Sequence, residues 1–370
     1  MKIFVKQSKH KIQKNNLFIG VFFLIVILTI AINPAKYSKV AFNGLQVWAK
    51  ILVPSLLPFF IITKLFQSTG VTDGLLNLFS KPVKKIYNCP KQSAYVFFLS
   101  ILSGYPVGSK IIADLYKSNE ISKTDAIKTA SFCSNSGPMF ILGSVAIGMF
   151  ANKTMGILIL ISHIFGALFN GVIYRNLGAN NTLRTKTKHL KKQPKNNKIN
   201  INKNLDNKDT NNVDFSGNNL VQKEQSANQS KQNINLTESV NSSISSILLI
   251  GGVICFTFVI LEIITTSKLF INLINLLSFN LIDKNLLISI FSGIGEITKG
   301  CLLLSSVPLS TKTATLLCTF IISFGGISTF LQAMSFLKDI VPAKTFFLQK
   351  LTHAVCSCIV CFLLLLFIPV

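Results

Sequence analysis

The sequence predicts an all-α polytopic membrane protein with two inverted-topology repeats, broken helices or re-entrant hairpins, and about 8 to 10 membrane segments. Three observations lead to this expectation. Apolar residues make up 49% of the 370 residues, and charged residues only 14%. The apolar residues form long blocks that glycine and proline interrupt. A basic, asparagine-rich segment divides the chain into two apolar halves.

Several uncharged blocks are long enough to cross a bilayer. Residues 17–32 (LFIGVFFLIVILTIAI) contain no charge, and residues 246–261 and 354–370 have the same character. A spanning helix needs roughly 20 mostly apolar residues, and these blocks reach that length with their flanks. We therefore expect a multi-pass protein of the cell membrane. Because no convincing A-x-A cleavage site follows the first block, we expect residues 17–33 to be an uncleaved anchor.

Four parts are predicted along the chain. They are a basic tail with the anchor (1–38), a first membrane repeat (39–175), a disordered basic cytoplasmic linker (176–236) and a second membrane repeat (237–370). The linker has eleven Lys/Arg, four Asp/Glu and sixteen Asn. Its few apolar residues cannot offset the entropy of ordering the segment. The positive-inside rule places both basic segments in the cytoplasm.

The five lysines of residues 1–16 and the excess of seven positive charges in the linker make up half of the net charge of +24. Basic residues beside spanning helices favour anionic lipid headgroups as partners. We expect no nucleic acid, because neither an RNA-binding motif nor a basic face interleaved with aromatics occurs. Nearly all of the eight cysteines lie in apolar segments, where cysteine behaves as a small hydrophobic residue. No metal site, cofactor or enzymatic activity is expected, since the apolar blocks contain no catalytic signature.

The two halves resemble each other. Residues 100–110 (SILSGYPVGSK) align with residues 289–299 (SIFSGIGEITK) at an offset of 189. Two further matches follow at offsets of 192 and 190, and the last pairs His163 with His353. Three matches in order at nearly constant offset predict a duplicated unit of roughly 130 residues. An odd number of crossings in the first repeat gives the second repeat the opposite orientation.

The glycine- and proline-rich interruptions are the predicted site. In residues 103–110 (SGYPVGSK), Pro106 removes a backbone donor and would break a continuous helix. Freed backbone groups are tolerated in a bilayer only against protein or a water-filled cavity. The same reasoning applies to residues 133–138, 292–298 and 323–329. For any one cluster the alternative is helix packing through small residues.

The predicted binding residues for a substrate or ion come from these four stretches and their flanks. Their hydroxyl, amide and backbone groups suit a small polar solute. They are Ser103, Gly104, Tyr105, Pro106, Gly108, Asn135, Ser136, Gly137, Pro138, Glu296, Thr298, Ser323, Gly325, Gly326 and Gln332.

Three ionisable residues in the apolar blocks have two interpretations each. An intramembrane carboxylate is energetically costly and usually functional. Glu296 therefore either binds a coupling ion or proton, or forms a salt bridge with Lys299 or Lys110. His163 and His353 either shuttle protons or form hydrogen bonds in helix packing.

One stretch of the first half carries a family resemblance. Gly104-Tyr105-Pro106-x-Gly108 is followed by a charged connection and then by SFCSNSGPMF at residues 131–140. Residues 103–150 thereby closely resemble the sporulation integral membrane protein YlbJ family, with a departure around Ser134. That family is grouped with the nucleoside-recognition, or Gate, domain. The resemblance implies a role in endospore formation and spore-cortex assembly, in the mother-cell or forespore membrane, and it leaves the solute open.

Three classes of function remain open on these grounds. The first is a secondary transporter or channel for a small polar solute needed in spore cortex formation, with a coupling ion as a further partner. The second is a non-transporting membrane scaffold or recognition component of a sporulation assembly, and the third is an intramembrane enzyme. Polar residues in both pairs of broken helices favour transport. Homo-oligomerisation and binding to sporulation membrane proteins are compatible with each class.

Overall fold

A computed structural model of the protein describes residues 14–69, 80–177, 235–279 and 281–368. These ranges are almost entirely helical and contain no strand, which confirms the all-α prediction. The helices are α1 (Lys14–Ile32), α2 (Pro34–Val47), α3 (Val53–Ser68), α4 (Gln92–Ser103), α5 (Val107–Lys117), α6 (Lys123–Phe132), α7 (Lys153–Tyr174), α8 (Leu236–Thr265), α9 (Lys268–Ser278), α10 (Lys284–Gly295), α11 (Ile297–Ser305), α12 (Thr311–Phe324), α13 (Gly326–Leu337) and α14 (Ala343–Phe367). The described ranges also contain two π-helical segments, Trp48–Leu52 and Phe140–Ile147, and a helical stretch at 80–87.

Five helical segments of the described ranges are long and apolar enough to cross a membrane. They are Pro34–Ser68, which joins α2 to α3, Thr311–Leu337, which joins α12 to α13, and the helices α7, α8 and α14. Shorter apolar helices are Ile19–Ile32 within α1, α4 and α9. These spans support a multi-pass membrane location. The larger expected number of membrane segments and the anchor role of α1 stay predictions.

The order of elements is the same in the two halves. In the first half, α4 and α5 are separated by a short break, α6 and Phe140–Ile147 by a longer one, and α7 follows. In the second half, α10 and α11 are separated at Glu296, α12 and α13 at Gly325, and α14 follows. All four breaks fall in the glycine- and proline-rich stretches. The inverted orientation of the halves stays a prediction.

Polar side chains begin several of these helices. Ser122 accepts a hydrogen bond from the Asp125 backbone N–H at 3.1 Å before α6, and Asn152 accepts one from Met155 at 3.0 Å before α7. Such N-caps satisfy backbone donors that have no partner within the helix. They fix where the helix after each connection starts.

The helices α7 and α14 pack along each other. A Cβ built on Gly166 of α7 would lie 2.0 Å from the Ser357 Oγ of α14, so the two backbones approach closely. By contrast, many large apolar side chains on α1, α8 and α14 are exposed, among them Leu28, Leu249 and Leu363. Exposed apolar side chains in this number are typical of a surface that faces lipid.

Trp48 connects the N-terminal helices to α8. Its Nε1 donates a hydrogen bond to the carbonyl oxygen of Ile247 at 2.9 Å. A Cβ built on Gly251, one turn further along α8, would lie 2.7 Å from the indole ring. The ring therefore fixes the distance between the helical segment Pro34–Ser68 and α8.

Some predictions fall on residues outside this description. The start of the basic tail (1–13), nearly all of the linker (178–234 of 176–236) and the last residues (369–370) belong to this group. The predicted disorder and sidedness of these segments, and the predicted domain boundaries, stay predictions.

Candidate functional site

The two breaks of the first half touch each other. Gly104 follows α4 with a φ of +71°, and a Cβ built on it would lie 2.8 Å from the backbone nitrogen of Gly137. A side chain there is excluded both by the backbone conformation and by the lack of space. Gly108, in the first turn of α5, packs against the carbonyl oxygen of Cys133. These contacts hold the break between α4 and α5 against the break that follows α6.

The breaks of the second half make a corresponding contact. Gly326 begins α13 with a φ of +70°, and a Cβ built on it would lie 3.2 Å from the carbonyl oxygen of Gly293 in α10. Gly300 of α11 crosses Gly293 so closely that a Cβ on it would lie 2.1 Å from the Gly293 Cα. The α10–α11 hairpin is therefore tightly closed, and the start of α13 lies on it.

A cavity of about 100 Å³ lies where the breaks of both halves meet. Its apolar wall consists of Leu52, Leu56, Phe60, Phe140, Ile250, Val253, Ile254 and Ile297. Its polar groups come from the breaks and from α13, namely Ser103, Tyr105, Ser136, Glu296, Thr298, Ser328, Thr329 and Gln332, with Gly104 and Gly137 beside them. A mostly apolar cavity with a few convergent polar groups is the usual form of a small-molecule site.

Glu296 brings a carboxylate to the cavity wall. Its side chain is only 5% exposed, and its Oε2 accepts a hydrogen bond from the backbone N–H of Lys299 at 2.7 Å. The carboxylate thus caps the N-terminus of α11, where the helix dipole favours negative charge. Within the described residues no cation lies within 4.0 Å of it. The cap explains how a carboxylate remains buried there without an ion pair.

The alternative expectation, a salt bridge from Glu296 to Lys299 or Lys110, is wrong. The Lys299 Nζ points to α8 instead, where it lies 3.4 Å from Glu262 Oε2 and donates to the carbonyl oxygen of Phe258 at 3.2 Å. Glu262 also lies 3.9 Å from the Nζ of Lys36 on α2. The ion pairs therefore tie α11 to α8 and α2, and Glu296 is left to the cavity.

His163 and His353 are both buried and lie side by side, with ring centroids 4.8 Å apart. His163 Nε2 accepts the backbone N–H of Ser136 at 2.9 Å, and its Nδ1 lies 2.9 Å from Ser323 Oγ. Because Nε2 accepts, the neutral ring carries its proton on Nδ1 and donates to Ser323. His353 Nε2 lies 3.0 Å from the carbonyl oxygen of His163. These bonds match the packing interpretation, and they join the break after α6 to the end of α12.

No protein-family model matches the chain. A curated relative is the sporulation integral membrane protein YlbJ of Bacillus subtilis (strain 168), which is 28% identical over 360 residues that cover 96% of this chain and 83% of that protein. This similarity supports the assignment of the chain to the YlbJ family. Among solved structures, one titled as CNTnw in an inward-facing substrate-bound state aligns with 94% of this chain and 86% of its own, at a TM-score of 0.45 and 12% identity.

Eight of the predicted binding residues line the cavity. These are Ser103, Gly104, Tyr105, Ser136, Gly137, Glu296, Thr298 and Gln332. The other seven predicted residues do not line the cavity; they are Pro106, Gly108, Asn135, Pro138, Ser323, Gly325 and Gly326.

Internal contacts account for several of these seven. Asn135 Nδ2 donates to Ser100 Oγ at 3.0 Å and to the carbonyl oxygen of Phe132 at 2.8 Å, so its amide holds the break together. Ser323 faces His163. Pro106 precedes α5 as its N-cap residue.

Other residues near the cavity were not among the predicted ones. The apolar wall from α3 and α8 carries no distinctive pattern within two apolar helices. Lys350 of α14 is buried and reaches the cavity residue Tyr105. Its position one turn before His353, inside an apolar block, was the signal in the sequence that could have identified it.

Proposed function

We propose that the chain is a secondary transporter or channel that moves a small polar solute needed in spore cortex formation, in the mother-cell or forespore membrane. The observation that supports this most directly is the cavity between the broken helices of both halves. Its wall contains the buried carboxylate of Glu296, which forms no ion pair within the described part of the chain. A solute there would contact backbone and side chains of both halves, whose relative movement could open the cavity to either side.

The composition of the cavity restricts the solute. A water molecule needs roughly 10–15 Å³ of such space, so about 100 Å³ admits a few waters or a small solute, and widening is needed for a larger one. The hydroxyl and amide groups of the cavity can donate and accept hydrogen bonds, whereas the ionised Glu296 carboxylate can only accept them. We therefore favour a neutral or cationic solute that donates hydrogen bonds. A coupling ion or proton would bind the same carboxylate.

Purified protein in liposomes tests this proposal. Uptake and efflux are measured for nucleosides, sugars, divalent metals and dipicolinate. For any solute that moves, Glu296→Gln keeps the shape of the side chain and removes its charge, so we expect transport to be lost or uncoupled. Glu238→Gln is the matched control, because Glu238 is exposed in the first turn of α8.

Complementation of spore cortex formation separates transport from the scaffold alternative. We expect Glu296→Gln to fail at normal membrane abundance and Glu238→Gln to succeed. If Glu296→Gln forms normal spores and no solute crosses the liposome membrane, the chain is a non-transporting component and the transport proposal is wrong.

A further inference from the structure

Lys350 is a buried lysine whose side-chain nitrogen has no carboxylate partner among the described residues. It lies on α14 and is 4% exposed. Its Nζ donates hydrogen bonds to the hydroxyl of Tyr105 and, at 2.8 Å, to the carbonyl oxygen of Ser134. It also lies 4.7 Å from the centroid of the Tyr105 ring. Across the described part of the chain, no acidic side chain lies within 4.0 Å of this ammonium.

An isolated ammonium is costly to bury, so its surroundings must supply negative potential. Two helices end beside it. Ser134 lies two residues beyond the end of α6, and a Cβ built on Gly325, just beyond the end of α12, would lie 3.3 Å from the Lys350 Cε. The C-terminal end of a helix carries unpaired carbonyl groups and a partial negative charge. The ends of α6 and α12, one from each half, thus flank one lysine.

The same break contains further oxygen atoms. Ser134 Oγ and Asn135 Oδ1 are buried, and neither has a hydrogen-bond partner among the described residues. Hydroxyl, amide and carbonyl oxygens are the groups that surround small cations in proteins. The break after α6, which binds the ammonium through the carbonyl oxygen of Ser134, therefore also contains two buried oxygen atoms without a partner in the described part of the chain.

Lys350 also joins the second half to the cavity. Tyr105 belongs to the first half and lines the cavity, whereas Lys350 belongs to α14 of the second half. The Tyr105 hydroxyl lies 3.1 Å from a Cβ built on Gly325. The hydroxyl is thus enclosed between the ammonium and the end of α12, which fixes the ring in the cavity wall.

We propose that Lys350 is a tethered cation that occupies a cation site at the junction of the broken helices, and that it positions Tyr105 in the cavity wall. The ammonium takes the place that a free monovalent cation would otherwise need to fill. This inference concerns the assembly of the site and holds whether or not the chain transports a solute.

Chemical rescue tests the proposal without a transport assay. Lys350→Ala removes the side chain beyond Cβ, and n-propylammonium supplies the missing three carbons and the ammonium. We expect the melting temperature of purified Lys350→Ala to fall by several degrees and to recover in part with propylammonium chloride. Choline chloride, whose cation is too large, should not restore it. Lys344→Ala is the control, because Lys344 is an exposed lysine of the same helix, and neither the substitution nor propylammonium should shift its melting temperature.

Two further measurements address the charge itself. Replacing choline with Na⁺ should leave the melting temperature of the wild type unchanged, because the site is already filled. Lys350→Arg should retain more stability than Lys350→Met, which keeps the volume of the lysine and lacks its charge.

Three results would overturn the proposal. The first is a rise in the melting temperature of the wild type when Na⁺ replaces choline, since it would show that a free ion enters the site. The second is a Lys350→Ala protein that folds and shows no response to propylammonium. The third is equal loss of folded protein for the Ala, Met and Arg variants, which would assign Lys350 to packing.

Discussion

His353 Nε2 lies 3.0 Å from the backbone carbonyl oxygen of His163, and these are the two histidines that the alignment of the halves pairs at an offset of 190. Each histidine lies on the last long helix of its half, α7 or α14. The two helices therefore meet at equivalent positions. The same pair of helices packs against α6 and α12, which precede two of the breaks.

The hydrogen bonds of His163 lead to the first prediction. His163→Phe keeps an aromatic ring and removes the acceptor of the Ser136 N–H, so a buried donor loses its partner. Leaving a buried donor unpaired costs about 1–3 kcal/mol. We expect a lower melting temperature and a cavity wall that is less ordered at Ser136. Ser323→Ala removes only the other partner of the ring and should cost less; a Phe variant as stable as the wild type would contradict this account.

Gly104 gives a second prediction, on stability. Gly104→Ala places a Cβ against the Gly137 backbone at a positive φ, and such strain costs of order 1–3 kcal/mol. We expect a melting temperature several degrees below that of the wild type. The control is Gly20→Ala, because nothing lies within 4 Å of a Cβ there and alanine favours a helix. Equal melting temperatures for the two variants would show that the break adapts easily.

The third prediction concerns the ion pair between Lys299 and Glu262. Glu262→Gln leaves the nearly buried ammonium of Lys299 without its carboxylate partner. We expect a loss of about 1–3 kcal/mol in stability, measured by thermal unfolding in detergent. Lys36→Gln removes the longer and more exposed contact of the same carboxylate and should have a small effect. The reverse order of the two effects would mean that Lys36 is the main partner.

A fourth prediction concerns topology, and it rests on the distribution of lysine. We expect reporter fusions at residue 205 and residue 370 to give opposite signals, cytoplasmic for the linker and extracytoplasmic for the C-terminus. Equal signals would exclude the inverted arrangement of the repeats, because that arrangement needs an odd number of crossings in the second half.

A fifth prediction is that the linker is dispensable for folding. Deletion of residues 185–230 removes a segment that is poor in apolar residues, and shortening a loop costs little while its ends can still meet. Membrane abundance and melting temperature should stay close to those of the full chain. A large loss of inserted protein would show that the segment packs on the membrane domain.

The sequence predicts the breaks well and their surroundings less well. Gly104 and Gly326 have positive φ angles that other residues adopt only with strain, so a local pattern marks them. Asn135 is a different case, because its amide is occupied by bonds within the break, which residue type alone does not reveal. The position of Lys350 one turn before His353 marks the residue in the sequence, but not its role. A lysine in an apolar helix usually extends to the membrane surface, and only the folded chain shows two helix ends beside it.

Trp48 is the only tryptophan in the sequence, so the intrinsic tryptophan fluorescence of the protein originates from one place. That place is the contact with Ile247 and Gly251 of α8, next to the cavity residues Leu52 and Ile250. If α8 separates from the N-terminal helices when a solute binds, water reaches the indole and its emission shifts to longer wavelength. In that case the wild-type chain contains its own optical reporter, and a solute can be sought by titration without any label.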